Sequence, residues 1–199
     1  MAMSFSYKKA TQALNYFAKQ SGGHINKMKA LKLLFFADRF HLRKYGRLIT
    51  NDEYFAMNYG PVPSGGKDLV EGSDFRPDVE KTYAGQYLNP VNRYEFSSLN
   101  DVDGIVFSRT DLESLEFAWT KFGSFDEFAL ADLTHQYPEW TKHEATLKSE
   151  ISSREKMNFD DFLEDPPSGV EPCHTLDAHE RAIRREELRE LCAIHNLWS

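Results

Sequence analysis

The sequence predicts a mainly α protein, a helical bundle around one central helix with a small β element. Three observations carry that expectation. Residues 26–45 are apolar on two sides of a helical wheel. Residues 6–20 and the stretch after Ser108 each repeat apolar residues at helical spacing. Only short runs, 53–58 foremost, have the look of strands. A helix with two apolar sides belongs in the middle of a bundle.

Each element has its own signals. In residues 6–20, Ala10, Ala13, Leu14, Phe17 and Ala18 make one face to bury, and Ser21-Gly22-Gly23 ends the run. In residues 26–45, Asn26 suits an N-cap and Gly46 a C-terminal stop. At 100° per residue, Leu31, Leu34, Leu42 and Tyr45 fall on one side, with Leu33, Phe36 and Phe40 nearly opposite. Residues 53–58 read as a strand entered by the turn Asn51-Asp52. NYGPVPS, residues 58–64, then reads as a stiff strand-to-helix turn, with Tyr59 packing its ring to anchor it. Pro61 keeps Gly60 out of helical geometry, and Ser64 can cap a helix.

Residues 72–92 read as a long Gly-, Pro- and Asp-rich loop. Residues 93–98 and 102–107 read as two strands. Ser108 opens a helix whose stripe is Leu112, Leu115, Ala118, Trp119 and Phe122, ended by Gly123. Ser124-x-x-Glu127 reads as a capping box for a helix to about His135. Pro138 breaks that helix, and Glu139-Trp140 starts another segment. The expected organisation is a domain over 1–150, a Pro- and Gly-containing linker over 151–175, and a C-terminal helical extension over 176–199 with Ile183, Leu188, Leu191 and Trp198.

Composition narrows the function classes. The net charge of −7 makes nucleic acid an unfavoured partner. The longest unbroken apolar run, Leu33–Ala37, is far short of the roughly 20 residues a bilayer needs, so no membrane partner is expected. The N-terminus lacks the apolar stretch of a signal peptide, and Cys173 and Cys192 are the only cysteines, so a cytoplasmic location is expected. Gly65-Gly66-Lys67 lacks the spacing of a phosphate loop. The histidines are scattered, and no Gly-x-Ser-x-Gly elbow occurs. No cofactor, no metal and no catalysis are expected.

Two groups on the central helix invite a function. Asp38 and His41 lie one turn apart, either as an acid–base pair of an enzyme or with Asp38 buried and accepting hydrogen bonds from a neighbouring segment such as NYGPVPS. The structural role is favoured. Lys29, Lys32, Arg39 and Arg43 share an arc with Phe36. That arc is a solvated edge, a protein interface or a nucleic-acid-binding face of a regulator.

Ordered strings then add a resemblance. Lys32–Leu42, Tyr45–Ile49 and Ala56–Pro63, followed by Ser108–Leu115, Lys121-Phe122-Gly123, Leu133-Thr134-His135 and Trp140, resemble the Panacea domain, also called the SocA-like antitoxin domain. The resemblance covers roughly 5–145 and leaves the tail out. It implies a mostly helical domain with a small β element, and an antitoxin that holds a cognate protein toxin inactive, commonly by direct binding. It implies a place in toxin–antitoxin systems on bacterial chromosomes, plasmids and phages; at least one member instead delivers its toxin to a protease. Asp38, Tyr59, Gly60, Pro61, His135 and Trp140 are expected as structural motif residues. Asn58 departs from the basic residue expected there. Candidate partner-binding residues are Arg39, Phe40 and Arg43, with the 72–92 loop and the C-terminal helix beside them.

Overall fold

A computed structural model of the protein describes residues 4–149 and 152–198, the side chains of 192 and 194–198 excepted. Helix α1 (Tyr7–Gln20) buries its whole predicted face: Ala10, Ala13, Leu14, Phe17 and Ala18. Strand β1 (His24–Asn26) leads into α2 (Lys27–Tyr45). The Asn26 side chain accepts from the backbone N–H groups of Met28 and Lys29, at 2.8 and 3.3 Å, satisfying donors the helix itself cannot. Gly46 closes α2 with φ 75° and donates to the Leu42 carbonyl. Every residue of α2 from Ala30 to Arg43 is buried. Phe36 stacks on Phe122 and Phe40 on Phe117, with ring centroids 3.9 and 4.1 Å apart. The central helix is thus central because α1 covers one side and α5 (Arg109–Phe122) the other. The fold is mainly α with a minor antiparallel β component.

Strands β2 (Tyr54–Met57) and β3 (Gly60–Pro63) form an antiparallel hairpin closed by Asn58-Tyr59. This corrects the strand-to-helix turn: Gly60–Pro63 is itself a strand. Prolines fit there because β3 is at the sheet's edge, in the order β3-β2-β6, where a missing N–H breaks no ladder. Helix α3 (Ser64–Glu71) follows at once, and the turn-tip Tyr59 is 60% exposed, not packed as an anchor.

Residues 72–92 are not one long loop. They hold α4 (Asp78–Gly85) and β4 (Leu88–Pro90), which pairs with β5 (Glu95–Ser98), while β5 also pairs with β1. Residues 102–107 make a 3₁₀ turn, Gly104–Val106, capped by Asp103, instead of a strand. The Ser108 cap of α5 forms as a reciprocal box with Asp111. The next cap is Asp126, not Ser124: its carboxylate accepts from Ala129 N at 2.7 Å and opens α6 (Glu127–Thr134). Pro138 sits at the start of α7 (Pro138–Thr141), and α8 (Glu144–Lys148) follows.

Of the stretch 151–175, expected as a linker, the described residues 152–175 are packed. Strand β6 (Glu155–Lys156) adds to β2, and a 3₁₀ turn at Asp161–Leu163 inserts Phe162 and Leu163 into the main core. Phe162 sits edge-on to Phe35 and Tyr54. Cys173 and Leu176 join the same core, as does Leu188 of α9 (Ala178–Trp198). Ile183 is exposed, Leu191 is part-buried, and the Trp198 side chain lies outside the described residues. No helix among the described residues is long and apolar enough to cross a membrane.

Candidate functional site

Asp38 is buried on α2 and saturated. It accepts from Ile49 N (2.6 Å), Thr50 N (3.2 Å), Thr50 Oγ1 (2.6 Å) and the Tyr54 hydroxyl (2.9 Å). The partner segment is therefore 49–54, not NYGPVPS. Burial pushes the Asp38 carboxyl up, and these bonds pull it back. His41 faces elsewhere. Its Nδ1 meets the Arg47 carbonyl at 2.7 Å, and its Nε2 lies 3.1 Å from Thr110 Oγ1 and 3.2 Å from Asp111 Oδ1. The two residues share no partner, and the structure does not bring them together as an acid–base pair.

The Gly65-Gly66 pair also has an occupant. Asp52 accepts from both backbone N–H groups, at 2.8 and 2.7 Å, and so caps α3 from a distance. Its burial lifts that carboxyl to about 7. Among the described residues no group of three His, Cys, Asp or Glu side chains is placed to hold a metal ion.

The predicted basic arc is not a surface. Lys32, Arg39 and Arg43 are buried, Phe40 is 7% exposed, and only Lys29 reaches the edge, where it donates to the Gly123 carbonyl. Arg39 donates to Glu139 Oε1 (2.6 Å), to the Glu164 carbonyl (2.7 Å) and to the Pro172 carbonyl, while stacking 4.6 Å from the Tyr137 ring centroid. Arg43 donates to the carbonyls of His174, Phe162 and Glu164 and to Asp165. Guanidinium forks suit this work, since each offers five donors. The chain bends to reach them: Cys173 and His174 adopt φ of 52° and 82°. From α9, Arg184 donates to the carbonyls of Arg43 and Lys44, which end α2. The expected partner-binding trio Arg39, Phe40 and Arg43 is thus covered by the protein's own C-terminal segment.

The hairpin motif residues do converge. Lys32 Nζ donates to the Pro61 carbonyl at 2.8 Å, and Trp140 Nε1 to the Met57 carbonyl at 2.9 Å. His135 stacks on Trp140 at 3.8 Å, with its Nε2 buried and without a partner among the described residues. Gly60 has φ 92°, and a Cβ there would lie 2.3 Å from Thr134 Oγ1 and 2.8 Å from Lys32 Nζ. Glycine is required at that crossing. Burial lowers the Lys32 ammonium to about 7.

Beside the hairpin lies an open groove of about 890 Å³, formed by the start of α2, the hairpin, α3, the 92–95 turn and α6. Met28, Leu31, Met57 and Val62 supply apolar lining. Tyr59, Tyr94 and Phe128 stand in it 60%, 64% and 59% exposed. Exposed rings are costly to leave bare and are enriched where proteins meet. Sequence reading missed Tyr94 and Phe128, because nothing in their local spacing separates a ring for a neighbour from a ring for the core.

Residues 31–141 match the family described as antitoxin SocA-like, Panacea domain. The chain belongs to that family. Neither the curated proteins nor the solved structures compared with it gave a match. The matched region contains α2 from Leu31 onward, the hairpin, α5, α6 and α7, and so most of the groove's walls, the first turn of α2 excepted.

Proposed function

We propose that the protein is an antitoxin that neutralises a cognate protein toxin in the cytosol by direct binding. The observation that carries this reading is the family match, which spans the surface where three aromatic rings stand exposed around one groove. Holding a toxin at nanomolar affinity takes about 12 kcal/mol. An interface of ordinary size supplies that when a few aromatic side chains are buried at its centre. Asp38 and His41 take no catalytic part in this reading, because every described partner they have belongs to the fold. The DNA-regulator alternative loses its support, because its basic arc is interior.

Expression of the neighbouring gene alone and together with this chain tests the proposal. Growth arrest by the neighbour, its relief on co-expression and co-purification of the two proteins are expected. A harmless neighbour that does not co-purify would overturn its assignment as the toxin.

A further inference from the structure

We propose that the toxin docks on the turn between α3 and α4, seating the Phe75 ring in an apolar pocket rimmed by Lys or Arg. This rests on the antitoxin reading and names what the partner must present.

The ring is exposed on a turn that is built to hold still. Phe75 is 97% exposed, and Val79, in the first turn of α4, is 63% exposed. A lone exposed apolar side chain is ordinary, but the backbone under this one is pinned on both sides. Gly72 ends α3 with φ 67°, and the N–H groups of Gly72 and Ser73 both donate to the Asp68 carbonyl. Ser73 Oγ accepts from Phe75 N at 3.4 Å, and the Ser73 carbonyl accepts from Arg76 N at 3.3 Å. Arg76 turns back onto the body: its Nε donates to Glu80 Oε2 at 2.7 Å, and its guanidinium lies 4.5 Å from the Phe5 ring centroid. The turn is ordered before any partner arrives, so a partner meets the ring at little entropic cost. It lies inside the matched region, and no segment covers Phe75 as the tail covers Arg39, Phe40 and Arg43.

Charge selects the partner. Over residues 67–81 every cation already meets a carboxylate: Lys67 meets Glu71, Arg76 meets Glu80 and Lys81 meets Asp78. The carboxylates of Asp68 and Asp74, the second adjoining Phe75 in the chain, meet no cation among the described residues. Asp103 also stands beside α4, because Gln12 bridges the Tyr83 hydroxyl at 3.1 Å and Asp103 N at 3.0 Å. The Asp103 carboxylate accepts only from Ile105 N among the described residues. Against these three stands Lys8 of α1, 5.7 Å from the Tyr83 ring centroid and likewise without a carboxylate there. This side of the molecule is therefore left negative, in keeping with the net charge of −7. Such a face repels phosphate backbones and anionic membranes and steers a basic protein surface toward it. A second copy meeting the first through the same face would set like charges together.

The test uses the full chain co-expressed with the product of the neighbouring gene. The variant Phe75→p-benzoylphenylalanine is expected to cross-link on illumination to that toxin, at a peptide that combines apolar residues with Lys or Arg. Phe75→Ala should bind the purified toxin at least tenfold more weakly, since a few buried rings dominate such contacts. Its circular dichroism and urea midpoint should match the wild type, because the exposed ring supports nothing in the fold. Asp74→Lys should slow association, and added salt should slow association of the wild type. Equal toxin binding by Phe75→Ala, a cross-link to a second copy alone, or a cross-linked peptide without Lys or Arg would overturn the docking. A wild-type chain that neither binds nor neutralises the neighbour overturns the antitoxin reading for that pair, and the docking with it. A wild-type chain that neutralises, beside a Phe75→Ala variant that binds as tightly, overturns only the turn as the docking place.

Discussion

Arg39 and Glu139 meet at 2.6 Å with neither side chain exposed to solvent. The pair ties the central helix to α7, and the second Glu139 oxygen has no partner among the described residues. Removing one member of a buried pair strands the other charge, at a cost of about 3–5 kcal/mol. Glu139→Ala is therefore expected to lower unfolding free energy by about that amount, read by urea denaturation. A loss under about 1 kcal/mol would show the pair to be dispensable.

Arg43 is expected to govern the C-terminal segment. Arg43→Met removes donors to Phe162, Glu164, Asp165 and His174 together. Limited proteolysis should then cut within residues 152–178 faster than in the wild type, with residues 7–141 cut no sooner. An unchanged cleavage pattern would contradict the clamp.

Asp38 separates structure from chemistry. Asp38→Ala leaves four donors unanswered in the interior and should cost about 3–5 kcal/mol. Asp38→Asn keeps an acceptor for the two backbone donors and should retain much of that stability. An Asp38→Ala protein as stable as wild type, by the same denaturation measurement, would argue for a role other than folding.

Two buried groups should bend the stability curve in opposite directions. Lys32 falls from 10.5 to about 7 on folding, so the unfolded chain binds more protons between those values, and stability rises with pH across them. Asp52 rises from 3.8 to about 7, so the folded chain binds more protons there, and its contribution falls as pH rises through that window. Lys32→Met should flatten the upper limb and Asp52→Asn the lower, each compared with wild type over the same pH series. Parallel curves for a variant and wild type would place that group's titration elsewhere.

Gly60→Ala combines a left-handed backbone with a Cβ that would sit 2.3 Å from Thr134 Oγ1. A loss of about 2–4 kcal/mol is expected, with Thr134→Ala restoring part of it. Restoration tests the crossing directly, because the remaining loss reports the backbone and the Lys32 contact without the Thr134 clash.

The central helix was legible because its signals are local and agree. Asn26, Gly46 and two apolar sides all point to one buried helix, and the structure has it. The hairpin was half legible: Gly60 and the prolines announced stiffness, but edge position decides whether proline ends a strand or sits in one. Residues 161–176 were misread for a physical reason. Their partners are Arg39 and Arg43, and the acceptors are mostly backbone carbonyls, which any residue carries. The same two arginines looked like an outer arc, because a helical wheel cannot show what a distant segment covers. Tyr94 and Phe128 lay hidden likewise, since exposure is set by the assembled fold.

The segment that covers Arg39 and Arg43 lies beyond residue 141, where the family match ends. A piece cut at that boundary would not be a smaller version of the same protein. It would leave the Arg43 guanidinium bare, Arg39 with Glu139 alone, and an open wound over Phe35, where Phe162 had been. The whole chain keeps lock and cover together. A cut at the edge of the family match parts them, so any tail grafted there must bring its own carbonyl-rich bend at the right distance from the central helix.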